Sequence, residues 1–390
     1  MKHFFFPLGQ GNAETGSLNY LLDSGFAQKE DQLKYIYDAI DVIYDKRLEQ
    51  EDGELSSLLN MNSGNHNHEV LSRYISQDDK RYYRISALKT IWKYIENEYN
   101  SNNSDRDKVT LVLFHLVRGN ICLRISQCYQ ENDNLSNSDI WGGKAIEIFW
   151  HGKNLAASYL DPLRSEENGE IKDYAEVRLY QCLIDLNLAK YYRDYASRNR
   201  RSDFDAALHE FRQVKRCIED KMKNAAPKEW EEQYRRQYAL IWMDAVLNIN
   251  SIYRKKCQIQ KAEEETLTTY YWLEDVLLQR YQQGSEINKE LSKEFLALLD
   301  ELCNAVTIEH SDINPQKPES NPFLYSNFYD GQRYFLLVLL ELSRIRRDLH
   351  SVNNYRNAIS IAIIADQWSY KMDKKGHNID ALNIISGSLR

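Results

Sequence analysis

Arginine and lysine form three short clusters in this chain, each near the predicted end of a helix. Because these side chains pair with carboxylates and phosphates, clusters along one edge would form a basic strip that holds an acidic peptide or a phosphate backbone. The simpler interpretation is that basic residues favour the last turn of a helix, where they complement the helix dipole. The clusters are Arg198, Arg200 and Arg201; Arg254, Lys255 and Lys256; and Arg344, Arg346 and Arg347.

The third cluster also contains a pair with catalytic residue types, Arg344 and His350. Their spacing resembles the arginine–histidine motif of helical HEPN ribonucleases. The resemblance implies that the two side chains would act on an RNA phosphate and a ribose hydroxyl. The sequence has no convincing second copy of the motif, so a ribonuclease is an alternative and binding without catalysis is the favoured interpretation.

Two other segments have the residue types of binding sites but lack an essential partner. Segment 11–17, GNAETGS, has the glycine spacing of a phosphate-binding loop without its lysine. His66, His68 and Glu69 could ligate a metal ion, but the sequence offers no further ligand beside them. The six cysteines occur singly, which indicates neither a disulfide framework nor a zinc site. We therefore expect no metal and no cofactor.

Four segments repeat a helical stripe built around an alanine. A residue, usually bulky, precedes the alanine by three positions, and in the fuller copies, such as 204–214, further residues follow it by four and seven. On a helix these steps keep all members on one face, and the small alanine lets a neighbouring helix approach closely. The pattern predicts stacked helices. The alanines are Ala145, Ala207, Ala262 and Ala358.

The composition favours an all-α protein with long helices. Only 15 glycines and 6 prolines interrupt 390 residues, and no segment shows the alternating pattern of a strand. The helical period predicts, among others, helices at about 171–198, 203–224, 228–256 and 258–283. We expect an N-terminal helical segment at 1–104, with a polar loop near 50–69, and a repeat region at 105–390.

Segment 248–262, NINSIYRKKCQIQKA, resembles the junction between the two helices of a tetratricopeptide repeat. Tyr253 is at the family's aromatic position, Ala262 is at its alanine nine residues later, and Cys257 replaces the usual turn glycine. The resemblance implies a right-handed solenoid of helical hairpins, preceded by an irregular N-terminal segment, whose concave face holds proteins or peptides. The alanines do not follow the family's 34-residue period, so we expect elongated helices and one further pair near 291–306.

Tyrosine is abundant, with 27 residues. The adjacent pairs Tyr191–Tyr192 and Tyr270–Tyr271 cannot place both rings on the inner face of one helix, so some tyrosines should line a binding surface. We name Tyr191 and Tyr270 as candidates. Trp150, within an apolar helix, is predicted to pack in the core.

The net charge of −8 argues against general attraction to nucleic acid, although a basic edge could still contact it. No apolar run of membrane-spanning length is evident in the sequence, so a cytoplasmic protein is expected. The predicted function is a scaffold or regulatory subunit that binds a protein or peptide, as the sensing or adaptor part of a bacterial signalling or antiviral-defence complex. The alternatives are an RNA-binding or RNA-cleaving helical protein and a peptide-pheromone receptor.

Overall fold

Helices account for nearly all of the chain that the structure describes. The structure is a computed structural model that describes residues 29–44, 77–101, 107–165, 171–198, 204–224, 229–282 and 328–371, and within these ranges it contains ten helices and no strand. The all-α prediction is confirmed for these residues. The helices are α1 (Lys29–Tyr44), α2 (Gln77–Ser101), α3 (Lys108–Glu131), α4 (Leu135–Ser165), α5 (Ile171–Arg198), α6 (Asp205–Asn224), α7 (Glu229–Lys255), α8 (Ile259–Gln282), α9 (Phe328–Asp348) and α10 (Val352–Lys371).

Several predicted features lie outside the described residues. They are the loop near 50–69, segment 11–17, His66, His68, Glu69, Arg200, Arg201 and the helical pair near 291–306.

The chain divides into two compact units, Met1–Asp194 (unit 1) and Tyr195–Arg390 (unit 2). The division falls in the last turn of α5. The boundary predicted after residue 104 lies within unit 1, between α2 and α3.

In unit 1, α3 is the central helix and packs against α1, α2 and α4. Its buried residues lie on several sides of the helix, and consecutive positions such as 112–117 are all buried because several neighbours pack on it. Among the described helices, α3 alone is long and apolar enough to cross a membrane, although we expected no such segment. Its apolar stretch is 78% buried inside the protein, as in the core helix of a soluble protein.

In unit 2, helices that follow one another along the chain pack together. α6 packs on α7, α7 on α8, and α9 on α10, and α9 also contacts both α7 and α8. The hairpin α9–α10 therefore lies directly beside the hairpin α7–α8.

Three hairpins share the same turn. The linkers 132–134, 256–258 and 349–351 each have three residues, and each central residue adopts the left-handed conformation: Asp133 with φ 55°, Cys257 with φ 56° and His350 with φ 53°. In the first two linkers the N–H groups of the central residue and the next residue bond back to the preceding helix, which satisfies its last carbonyls. Cys257 thus occupies a turn position that glycine normally favours.

A buried polar residue lies seven positions before each turn residue and connects the two helices of the hairpin. The Ser126 hydroxyl donates to the Ser138 carbonyl at 2.6 Å, and the Ser343 hydroxyl donates to the Ala358 carbonyl at 2.6 Å. In α7–α8 the Asn250 side-chain amide donates to the Thr266 hydroxyl at 2.9 Å. The three hairpins therefore share the turn and a buried polar residue seven positions before it, whereas the acceptors lie five, nine and eight residues after the turn residue.

All four alanines of the predicted stripe are buried, with at most 1% of their surface exposed. They occupy different positions relative to their turns, because Ala262, Ala358 and Ala145 lie five, eight and twelve residues after the turn residue. Equivalent positions in the three hairpins are therefore found by counting from the turn residue, and the alanines do not mark them.

Candidate functional site

A cleft opens between α2, α3 and α4 of unit 1, with a volume of about 540 Å³. This volume is within the range of small-molecule binding sites. Helical spacing brings its lining together, because residues three, four or seven apart share one face of each helix. The lining is Trp92, Glu96 and Tyr99 from α2; His115 and Arg118 from α3; and Lys144, Glu147, Ile148, His151 and Leu155 from α4.

Arg118 is held between aromatic rings and a carboxylate. Its Nε donates to Glu96 Oε1 at 2.5 Å, and its guanidinium carbon lies 3.9 Å from the centre of the Tyr99 ring and 5.8 Å from that of Trp92. These contacts fix the side chain by ion pairing and cation–π attraction. The two terminal nitrogens have no hydrogen-bond partner among the described residues, so they can bind a ligand.

His115 forms the inner wall of the cleft and is only 8% exposed. Burial is the largest cause that lowers its pKa, the positive charges of Arg118 and His151 add to it, and together they bring the pKa to about 4, so the imidazole is neutral near pH 7. Its Nε2 lies 3.4 Å from the Tyr99 hydroxyl, while its buried Nδ1 has no hydrogen-bond partner in the part of the chain that the structure describes. Gly152 of α4 makes room for this ring, because a Cβ there would lie 2.8 Å from His115 Cβ.

Aromatic rings and ammonium groups continue on the rim. The Trp92 and Trp141 rings meet edge to face, with their centres 5.7 Å apart, and the Lys144 ammonium lies 4.6 Å from the centre of the Trp141 ring. Glu147 adds a carboxylate on α4. The cleft therefore offers aromatic faces, unpaired donors and a neutral imidazole. Within the described residues, no group of three or more metal-ligating side chains is placed to hold an ion.

Two of the predicted basic residues form interhelical ion pairs in unit 2. The Arg254 guanidinium of α7 donates to Asp348 at 2.8 Å and to Glu341 at 3.2 Å, both on α9. Arg346 of α9 is 1% exposed and lies 3.0 Å from Glu263 of α8. These charges connect three helices of the unit.

The other described basic side chains also have partners within unit 2, so a ligand on a basic strip would have to compete with them. Lys255 donates to the Ser197 hydroxyl at 3.0 Å, Lys256 to Asp205 at 2.6 Å, Arg344 to Glu341 at 3.4 Å and Arg347 to Asp348 at 3.1 Å. Arg198 lies in the last turn of α5, and its side chain is outside the description.

The two residues of the ribonuclease alternative contact different groups. His350 is exposed, with Nδ1 2.9 Å from the Tyr355 hydroxyl, and Arg344 pairs with Glu341. Their catalytic role stays a prediction.

Each tyrosine named as a surface candidate is the buried member of its pair. Tyr191 packs against Gly142, where a Cβ would lie 2.6 Å from its ring, and the Tyr270 ring centre is 5.4 Å from that of Phe335. The prediction of a core position for Trp150 is wrong, because this side chain lies on the outer face of α4 and is 41% exposed. The Lys153 ammonium lies 5.3 Å from its ring centre.

None of the residues that line the cleft was predicted from the sequence. Trp92, Glu96 and Tyr99 do follow the helical spacing that marked the alanine stripes, as do Lys144, Ile148 and His151. The missing information was that α2, α3 and α4 face one another.

No protein-family model, no curated protein and no solved structure matches this chain. Evidence for a function therefore comes from the residues of the chain itself.

Proposed function

We propose that this protein is a binding scaffold or regulatory subunit, built from tetratricopeptide-like hairpins, which holds a partner protein or peptide. The register of the hairpins supports the resemblance. Tyr253 lies four residues before the turn residue Cys257, and Ala262 lies five residues after it. Tyr129 and Ser138 stand at the same two positions around Asp133, with serine in place of the small alanine.

The observation that carries the proposal is the cleft of unit 1. Aromatic residues and arginine are the residue types that contribute most to protein interfaces, and here they surround a preformed cavity. A side chain of the partner would enter the cleft, pack on Trp92 and on the Arg118 guanidinium that covers Tyr99, and reach the terminal nitrogens of Arg118, which have no hydrogen-bond partner among the described residues. Because the cavity is already formed, little ordering of the scaffold would be needed on binding.

We also propose that the hairpins form a right-handed solenoid whose concave face holds the partner, and that the protein serves in the cytoplasm as the sensing or adaptor part of a bacterial signalling or antiviral-defence complex. Repeated hairpins suit this role because each copy adds binding surface.

Affinity capture from native lysate tests the proposal with three baits: the unchanged chain, Lys144→Glu and Arg356→Glu. Lys144 is exposed in the cleft, and Arg356 is an exposed residue of α10 without a described partner, so it serves as the matched control. We expect a stoichiometric partner that the unchanged chain and Arg356→Glu retain and that Lys144→Glu loses. A folded bait without a partner, or one that keeps its partner despite Lys144→Glu, would contradict the proposal.

A further inference from the structure

We infer that the cleft binds an aromatic anion, a planar ring that carries or adjoins a carboxylate or phosphate group. This inference rests on the proposed binding role of the same cleft and names the chemistry of what enters it.

The aromatic half of the inference follows from the cleft walls. Trp92 and Tyr99 lie on one face of α2, and Ile148 and Leu155 supply aliphatic surface from α4. A ring can pack between such walls, and a volume of about 540 Å³ accommodates a ring with a short substituent. A long flexible chain would leave the aromatic faces poorly covered.

The anionic half follows from the balance of donors and acceptors. Among the described residues, the two terminal nitrogens of Arg118 have no hydrogen-bond partner, and the contact of the Lys144 ammonium is with the face of Trp141. Of the two carboxylates that line the cleft, Glu96 is already bound by Arg118, which leaves Glu147 as the unpaired acceptor among the described lining residues. Donors are therefore in excess, and a guanidinium with free terminal nitrogens binds carboxylate or phosphate well.

His115 supplies independent support. Its Nδ1 is buried without a hydrogen-bond partner in a side chain that is 8% exposed, and such atoms are rare because an unpaired buried polar group is unfavourable. A polar group of a ligand that reaches the inner wall would satisfy this nitrogen. His115 and Arg118 lie one helical turn apart on α3 and both line the cleft, so a ligand in the cleft lies beside both side chains.

Calorimetric titration of the full chain tests the inference with three probes: indole-3-acetate, its neutral analogue indole-3-acetamide, and acetate. We expect the Kd of indole-3-acetate to be at least about tenfold lower than that of either other probe. Arg118→Gln and Lys144→Gln should each reduce this preference, and Arg356→Gln should leave it unchanged. Because Lys144 is exposed, its substitution does not endanger folding.

Equal Kd values for indole-3-acetate and indole-3-acetamide would overturn the inference, as would no binding at millimolar concentration. A preference for the acid that is unchanged in both Arg118→Gln and Lys144→Gln would also overturn it. Two further probes identify the source of the ring: adenosine monophosphate for a free small molecule, and the blocked peptide acetyl-Asp-Trp-Asp-amide for a protein segment. If one of these two probes binds with a lower Kd than the other, the inference is supported and that probe indicates the source of the ring. The titration needs no partner protein. If the chain binds indole-3-acetate but captures no partner, the scaffold proposal is refuted and the inference of an aromatic anion stands.

Discussion

At the scale of single residues, His115 combines burial, neutrality and an unpaired nitrogen. The groups that face it are Tyr99 from α2, Arg118 on its own helix and His151 from α4. The lining charges Glu96, Lys144 and Glu147 complete the surroundings of the cleft. Protonation would place a charge in a buried site beside Arg118, so the folded state favours the neutral ring.

The stability of unit 1 should therefore depend on pH through His115. Its folded pKa of about 4 is below the ordinary value of 6.5, so its stabilising contribution is complete above pH 6.5 and is lost as the pH falls towards 4. The loss should be about 3 kcal/mol. The free energy of unfolding, measured in urea, should differ less between pH 7 and pH 4 for His115→Asn, which cannot be protonated, than for the unchanged chain. An equal difference for both would exclude His115 as the cause, and His209→Asn is the exposed control.

Cys257 is exposed and has a left-handed backbone conformation that costs a residue with a Cβ about 1 kcal/mol. Cys257→Gly should raise the free energy of unfolding of unit 2 by about 0.5–1 kcal/mol, because glycine adopts this conformation without strain. Cys257→Ala keeps the Cβ and should have almost no effect. Thermal unfolding of the two variants checks the difference, and equal midpoints would contradict this account.

At the scale of elements, the close approach of α3 and α4 depends on Gly119. A Cβ at this position would lie 2.3 Å from the buried Phe149 ring, whereas a Cβ at Gly143 of α4 would meet nothing within 4 Å. Both glycines lie inside helices, where alanine is normally preferred by about 1 kcal/mol.

Gly119→Ala and Gly143→Ala should therefore change stability in opposite directions. We expect the first to lower the free energy of unfolding by about 1–3 kcal/mol through overpacking. The second should raise it by as much as about 1 kcal/mol through helix propensity. Chemical denaturation of both variants measures the two changes, and stabilisation by Gly119→Ala would show that the two helices can separate without cost.

The contact of α8 with α9 includes the buried pair Glu263 and Arg346. Arg346→Met should destabilise unit 2 by about 3–5 kcal/mol, because it leaves a buried carboxylate without its partner. Adding Glu263→Gln should recover much of this loss. The matched exposed pair is Lys256 with Asp205, whose carboxylate side chain is 73% exposed, so Lys256→Met should cost at most about 1 kcal/mol. A double-mutant cycle measures the coupling, and additive losses would show that the buried pair is not coupled.

The helices could be predicted from the sequence because the spacing of apolar residues along a long amphipathic helix is visible without knowledge of the fold. The predicted bounds 171–198 coincide with α5, and those of α7 and α8 differ from the structure by one residue at each end. The cleft could not be predicted in this way. Its residues come from three helices, and the side of α2 that faces α3 is set by packing.

The basic clusters show the same limit. Sequence proximity groups Arg254, Lys255 and Lys256, but their partners are on different elements, at Glu341, Ser197 and Asp205. The sequence supplies the charges, and only tertiary packing shows that the carboxylates of unit 2 meet them.

At the scale of the whole molecule, the aromatic cleft and the interhelical ion pairs lie in different units. All residues that line the aromatic cleft belong to unit 1, and the ion pairs that connect α7, α8 and α9 belong to unit 2. α5 packs within unit 1 through side-chain hydrogen bonds such as that of the Tyr180 hydroxyl to Glu30 at 2.9 Å.

A fragment of residues 1–198, which keeps α5 whole, should fold alone and retain the cleft. We expect a helical circular dichroism spectrum, cooperative unfolding and the same Kd for indole-3-acetate as in the full chain, because every lining residue is present. A folded fragment that binds indole-3-acetate more than about tenfold more weakly would show that unit 2 contributes to the site.

Linkers 132–134, 256–258 and 349–351 share their length and a left-handed central residue, which makes these corners exchangeable. Asn-Asp-Asn from the first linker could replace Lys-Cys-Gln in the second without redirecting the helix that follows. Such a chain can lengthen by duplicating a hairpin with its corner, so that new surface is added and the older contacts are left intact. The shared corner thus gives this chain a simple route to acquire new surface.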